Sequence, residues 1–164
     1  MEDNNKEQKF IDIDLTPIKR KEIRINGDSN RVLALNTTDI GIVSRLSELY
    51  PKLEELQKQF NSLEVKFDEG NNMTDDSLTE VGKAVKDIDV QMRQYIDEIF
   101  DSNVSEVCAP SGNMFDPING SYRFEYIIDA LAGVYSEEIA NNLEKRKTLV
   151  NKHTAKYTKS RKKG

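Results

Sequence analysis

This chain has no Trp, one Cys, one His, and no apolar run approaching the length of a membrane span. Each absence removes a class of protein. A helix that crosses a bilayer takes about 20 apolar residues, and the polar start MEDNNKEQK lacks the apolar segment of a signal peptide. The single Cys108 cannot close an internal disulfide, which argues against a secreted, disulfide-built scaffold. The expectation is a protein of a reducing cytoplasm with no membrane association. Neither GxxxxGK[ST] nor GxGxxG occurs, so no glycine-rich loop is available to cradle a phosphate. Cys108 and His153 are the one conceivable thiol and base pair, but Cys108 stands at a loop and His153 in a tail, with nothing to hold them together. No catalytic, cofactor-binding or metal site is expected, and the protein is read as not an enzyme.

What is present is charge, 32% of residues, against 37% hydrophobic. Apolar residues so limited must be gathered on narrow stripes, which suits helices. The charge is also divided along the chain. From Lys145 to Gly164 there are nine Lys or Arg and no acid; removing those nine from 24 leaves 15 against 29 acidic residues, so the body carries −14 and the tail +9.

FIDIDL (residues 10–15) alternates, placing Ile11, Ile13 and Leu15 on one face of an expected strand and Asp12 and Asp14 on the other. Two carboxylates without further ligands at metal spacing read as a solvated face. EIRINGDSNRVLALN sets Ile23 and Ile25 against Val32, Leu33 and Leu35 across Asn-Gly and Asp-Ser-Asn, residues that tolerate the left-handed backbone of a hairpin turn. From a cap at Thr38 or Asp39 the period changes. Ile42, Leu46, Leu49, Leu53, Leu56, Phe60, Leu63 and Phe67 follow at spacings of four and three, with Pro51 predicting a kink or a restart. EGNNMTDDS interrupts. It matches a calcium loop only loosely, lacking ligands at the required offsets, and reads as a turn. A second seam then runs through Leu78, Val81, Val85, Ile88, Met92, Tyr95 and Ile99. After CAPSGNMFDPING, whose Pro and Gly are turn chemistry, Ser121 is expected to cap a last helix with Phe124, Ile127, Ile128, Leu131, Val134, Tyr135, Ile139 and Leu143 on its stripe.

The fold predicted is mainly α: a helical hairpin plus a C-terminal helix, with a small N-terminal β-hairpin or antiparallel sheet. Its parts are a flexible leader over 1–9, one domain over 10–150, and a disordered basic tail over 151–164. The seams are stripes that need a further covering element, either the sheet and the last helix or a second copy of the protein, and a homo-oligomer is expected. The tail suits either nucleic acid or an acidic protein surface. Nucleic acid is disfavoured because the −14 body repels the same polyanion.

The order of strand pair, heptad hairpin and helix, together with YIDEIFDS (95–102), a Gly-rich break and YRFEYIIDAL (122–131), resembles the small tail assembly chaperones of long-tailed phages of Gram-positive bacteria. That resemblance implies a non-enzymatic, mainly helical protein that binds the tape measure protein and recruits the tail tube protein. Such a protein acts in the cytoplasm of the infected host and is absent from the mature virion. It also implies a longer product made by frameshifting, with Lys162, Lys163 and Gly164 at the junction. Candidate partner contacts are Phe124, Tyr126, Tyr135, Lys145, Arg146, Lys147, Lys152, Lys156, Tyr157, Lys159 and Arg161. The competing class is a phage-encoded regulatory or anti-host protein acting on a host protein or nucleic acid.

Overall fold

The structure is a computed structural model, and it describes residues 10–17, 20–68 and 74–161. The expected leader over 1–9, most of the interhelical turn and the junction at 162–164 lie outside the described residues. Strands β1 (Lys21–Ile25) and β2 (Asp28–Leu35) pair antiparallel, with Ile23 opposite Leu33 and Arg24 opposite Val32. Asn26 and Gly27 turn the chain at φ 54 and 72, the two positive φ values that let a hairpin turn follow the twist of its strands. Leu33 and Leu35 are fully buried and face the helices.

The expected strand over 10–15 is not formed. Ile11, Ile13 and Leu15 are exposed and the segment has no partner. Asp14 instead accepts both the backbone N–H and the hydroxyl of Thr16, bending the chain ahead of Pro17, and these bonds hold its carboxyl below the usual carboxylate range. Such a local side-chain bond offers the backbone an alternative to a ladder.

Helix α1 (Ile42–Asp68) runs unbroken through Pro51. Pro51 and Ser47, whose carbonyl it leaves without an intrahelical donor, both lie on the exposed side, where water can satisfy that carbonyl. Of the two candidate caps it is Asp39 that serves, its carboxylate accepting from Gly41 N at 2.8 Å and from Arg45 Nη2 at 2.8 Å. The Arg45 hydrogen bond is the main cause of an Asp39 pKa below the usual range. The seam packs as expected: Ile42, Leu49, Leu53, Leu56 and Phe60 are buried and Leu46 and Leu63 partly so, while the Phe67 side chain lies outside the described set.

Helix α2 (Asp75–Phe100) starts at Thr74, whose hydroxyl accepts from Ser77 N, with Asp75 and Asp76 at the positive end of the helix dipole. It returns antiparallel to α1. Arg45 Nε donates to Ile99 O at 2.8 Å, and Lys52 Nζ stands 5.4 Å from the Tyr95 ring centre. Val81, Ile88, Met92 and Ile99 are buried as expected, and Ile96 and Phe100 are buried too, because later segments cover the last turns of α2 on a further side. Leu78 is exposed, so the first turn of α2 stands outside the packed seam.

A short α3 (Val104–Cys108) and an irregular stretch lead to a second, two-residue hairpin, β3 (Pro117–Ile118) with β4 (Ser121–Tyr122), turned by Asn119 and Gly120 at φ 49 and 85. Ser121 pairs with Ile118 and does not cap the last helix. The cap position falls on Tyr122, whose N–H donates to Glu125 Oε2 at 2.7 Å. Helix α4 (Arg123–Arg161) packs Phe124, Leu131 and Tyr135 into the core. Past Ile139 every described side chain on it is exposed.

Where the sequence predicts a disordered tail from 151, the backbone stays helical to Arg161. No Gly or Pro stands between Val134 and Lys163, and the sequence is rich in cations toward the C-terminal end of the helix, where the dipole is negative. Because the described side chains of this half of α4 are exposed, deleting 152–164 should leave the melting temperature at low micromolar concentration within about 2 °C of the full chain, less than 1 kcal/mol for a domain of this size. A larger fall in a thermal melt followed by circular dichroism would show that the segment is docked.

Candidate functional site

The irregular segment between α3 and α4 gathers the most polar side chains, and arginines from three elements shape it. Arg93 of α2 donates through Nε to Asp89 at 2.8 Å, through Nη1 to Ser105 O at 3.2 Å and Ala109 O at 2.9 Å, and through Nη2 to Gly112 O at 2.8 Å. Arg31 of β2 donates to the carbonyls of Val107 and Cys108 at 3.0 and 2.7 Å. Arg123 of α4 pairs with Asp116 at 2.8 Å. Gly112 is required where these meet: its φ is +85, and a Cβ there would stand 2.6 Å from Asp116 Oδ2 and 2.8 Å from Arg123 Nη2. Asp97 completes the frame, accepting from the backbone N and the hydroxyl of Ser105, each at 2.7 Å. Arg93 and Arg31 hold backbone carbonyls and Arg123 holds the Asp116 carboxylate, which makes the cluster a clamp on the loop, with Arg123 Nε buried and without a hydrogen-bond partner among the described residues.

The nucleophile candidate is also accounted for. Cys108 is half-buried, and burial pushes its thiol up to about 11, so it stays protonated at neutral pH. His153 belongs to the exposed half of α4, where its side chain lies outside the described set. Among the described residues no group of three or more His, Cys, Asp or Glu is placed to hold a metal ion, and no helix is long and apolar enough to cross a membrane.

The candidate partner contacts separate into two sets. Phe124 and Tyr135 are core residues: Phe124 stands 5.3 Å from Phe115 between ring centres, and Tyr135 stands 5.8 Å from Phe100. Burial also raises the Tyr135 phenol above its usual pKa. Neither ring is available to a partner, because the stripe they belong to is covered by the hairpin. Tyr126 is exposed on the packed half of α4. Lys145, Arg146, Lys147, Lys152 and Lys156 are all exposed on the unpacked half. Tyr157, Lys159 and Arg161 continue that helix in backbone, their side chains being outside the described set.

The unpacked half carries more than charge. Leu143, Arg146, Lys147, Val150 and Asn151 recur at i, i+3, i+4, i+7 and i+8 and line one shallow groove. Leu143 is 49% exposed and Val150 50%. Sequence reasoning assigned Leu143 to the core stripe, since the apolar period runs on from Ile139 without a mark where the covering ends. An ion pair on this stretch, Lys147 with Glu144 at 3.8 Å, is largely exposed and contributes little to holding the helix. Compared with protein-family models, with curated proteins and with solved structures, the chain matches none.

Proposed function

We propose that this chain is a non-enzymatic phage tail assembly chaperone. It holds the tape measure protein in the cytoplasm of the infected bacterium, recruits tail tube protein to it, and is left out of the finished virion. The observation that carries the reading is the unpacked half of α4, a helix presenting Leu143 and Val150 beside Arg146 and Lys147 in a groove lined, among the described residues, by α4 alone. A helix displaying apolar anchors one heptad apart among cations suits docking against another amphipathic helix with acidic flanks, the form a long helical client offers before it is enclosed. The resemblance of residues 95–102 and 122–131 to tail assembly chaperones is the reason for proposing a tape measure protein as the client.

The test is coexpression with a tape measure protein. Soluble yield of that client should rise severalfold with the full chain, and the gain should be lost when residues 140–164 are removed. Unchanged client solubility, together with tight, salt-sensitive binding of DNA or RNA by the purified chain, would replace this reading with a nucleic-acid-directed phage protein, since counterion release makes such binding fall steeply with salt.

A further inference from the structure

The unpacked half of α4 is not the only exposed apolar face. On α1, Val43 is 62% exposed and Tyr50 54%, one heptad apart on the side turned away from α2, with Ile40 exposed just before the helix begins. Glu54 lies on the same stripe, and Glu48 and Glu55 are exposed on the same helix, three acids against the two exposed lysines, Lys52 and Lys58, among its described residues. The two faces match in period, both offering an apolar pair at i and i+7, and they are complementary in surroundings. One lies among cations from Lys145 onward, the other on the body that carries the −14.

The packing of α1 against α4 says how they can meet. At one end Tyr122 Oη donates to Glu64 Oε1 at 2.9 Å, with Asn61 Oδ1 3.0 Å away. At the other, Tyr135 packs on Phe100 beside the point where Arg45 holds Ile99 O. Helix α4 is therefore antiparallel to α1 and runs on past the α1 N-terminus, so it cannot reach the Val43 and Tyr50 face of its own chain. Residues 140–161 extend about 33 Å beyond the body at 1.5 Å per residue, close to the length of α1.

We propose that this arm docks on the Val43 and Tyr50 face of a second copy, in a reciprocal twofold dimer. Turning a second molecule end for end lays each arm along the partner's α1 and parallel to it, so that Leu143 and Val150 fall in register with Val43 and Tyr50 on a shared seven-residue repeat. Arm against arm is excluded by like charge, since neither strand of such a pair has an acid after Glu144. Two reciprocal contacts close the assembly as a dimer rather than a filament. The dimer is measured with no client present, so it and the chaperone reading fail separately.

Sedimentation of the full chain at about 100 µM, roughly a hundred times the micromolar Kd of a modest interface, should give twice the 18.8 kDa chain mass. Leu143→Asp with Val150→Asp should weaken the dimer at least about tenfold, equal to ~1.4 kcal/mol, with an unchanged helical spectrum at low concentration, because both sites are exposed. In a Cys108→Ala background, a mixture of Val43→Cys chains and Leu143→Cys chains should be joined by a short thiol cross-linker, whereas neither chain should cross-link to itself. A full chain that sediments as a monomer, a dimer indifferent to the Asp substitutions, or cross-linking of Leu143→Cys chains to one another would overturn the proposal.

Discussion

Replacing Phe115 by Ala should destabilise the chain by about 3–5 kcal/mol, the range for a large aromatic truncated in a core. Phe115 is almost fully buried. Its ring stacks on Phe60 of α1 at 4.5 Å between centres and meets Tyr122 and Phe124 edge-on at 5.5 and 5.3 Å. Phe60 also meets Tyr122 at 5.7 Å, so the four rings form one cluster that joins α1, the irregular segment and the start of α4. Burial, followed by the hydrogen bond to Glu64, pushes the Tyr122 phenol up to about 12, so the hydroxyl remains a donor at any ordinary pH. Against a typical total of about 5–15 kcal/mol for a domain, losing the central ring removes a large share of what fastens α4 to the hairpin. Urea unfolding would measure the loss, and hydrogen exchange should show the first turns of α4 deprotected before α1 and α2. A cost below about 1 kcal/mol, the ordinary effect of a point change, would mean the cluster is not a keystone.

Arg93→Met should cost about 2–4 kcal/mol, because it takes the cation from the Asp89 carboxylate and the donor from the carbonyls of Ala109 and Gly112 in a mostly buried place. The Arg93 and Asp89 side chains are only 22% and 16% exposed. The three carbonyls that the guanidinium gathers come from Ser105, Ala109 and Gly112, and Asp89 adds a fourth restraint by accepting Met114 N at 2.7 Å. No regular ladder is present between α3 and β3, so these side-chain bonds do there what a sheet or helix does elsewhere. Asp89→Asn should recover part of the loss when combined with Arg93→Met, since the uncompensated charge is then removed, and a double-mutant cycle would read the coupling. Independent, fully additive effects would show that the two side chains act separately. Amide exchange across 105–114 should rise in the Arg93 variant even at temperatures where the helices remain folded.

Residues whose conformation depends on near neighbours were legible. Asn26 and Gly27 predict their turn because few other residue types accept two successive positive φ values, and the seams of α1 and α2 predict their packing because one spacing admits one face. The paired Asn119 and Gly120 carry the same signal as the first hairpin and were read only as turn chemistry, the flanking strands being too short to alternate. The candidate contacts fared according to what covers them. Phe124 and Tyr135 share a period and a helix with Leu143 and Val150, yet the first pair is core and the second exposed.

By itself, then, the sequence determined the mainly helical class, the hairpin turn, the two heptad stripes and the separation of an acidic body from a basic C-terminal stretch, because these follow from local backbone preference, residue period and composition. Only the tertiary structure decided that residues 10–15 stay unpaired, that α1 passes through Pro51, that arginines on α2, β2 and α4 hold the irregular segment, and that α4 leaves the core after Ile139. The hold on the irregular segment and the point where α4 leaves the core rest on what a distant segment places beside the residue. Burial and carbonyl satisfaction are properties of that meeting, and an apolar stripe has the same period whether its partner is present or still to arrive.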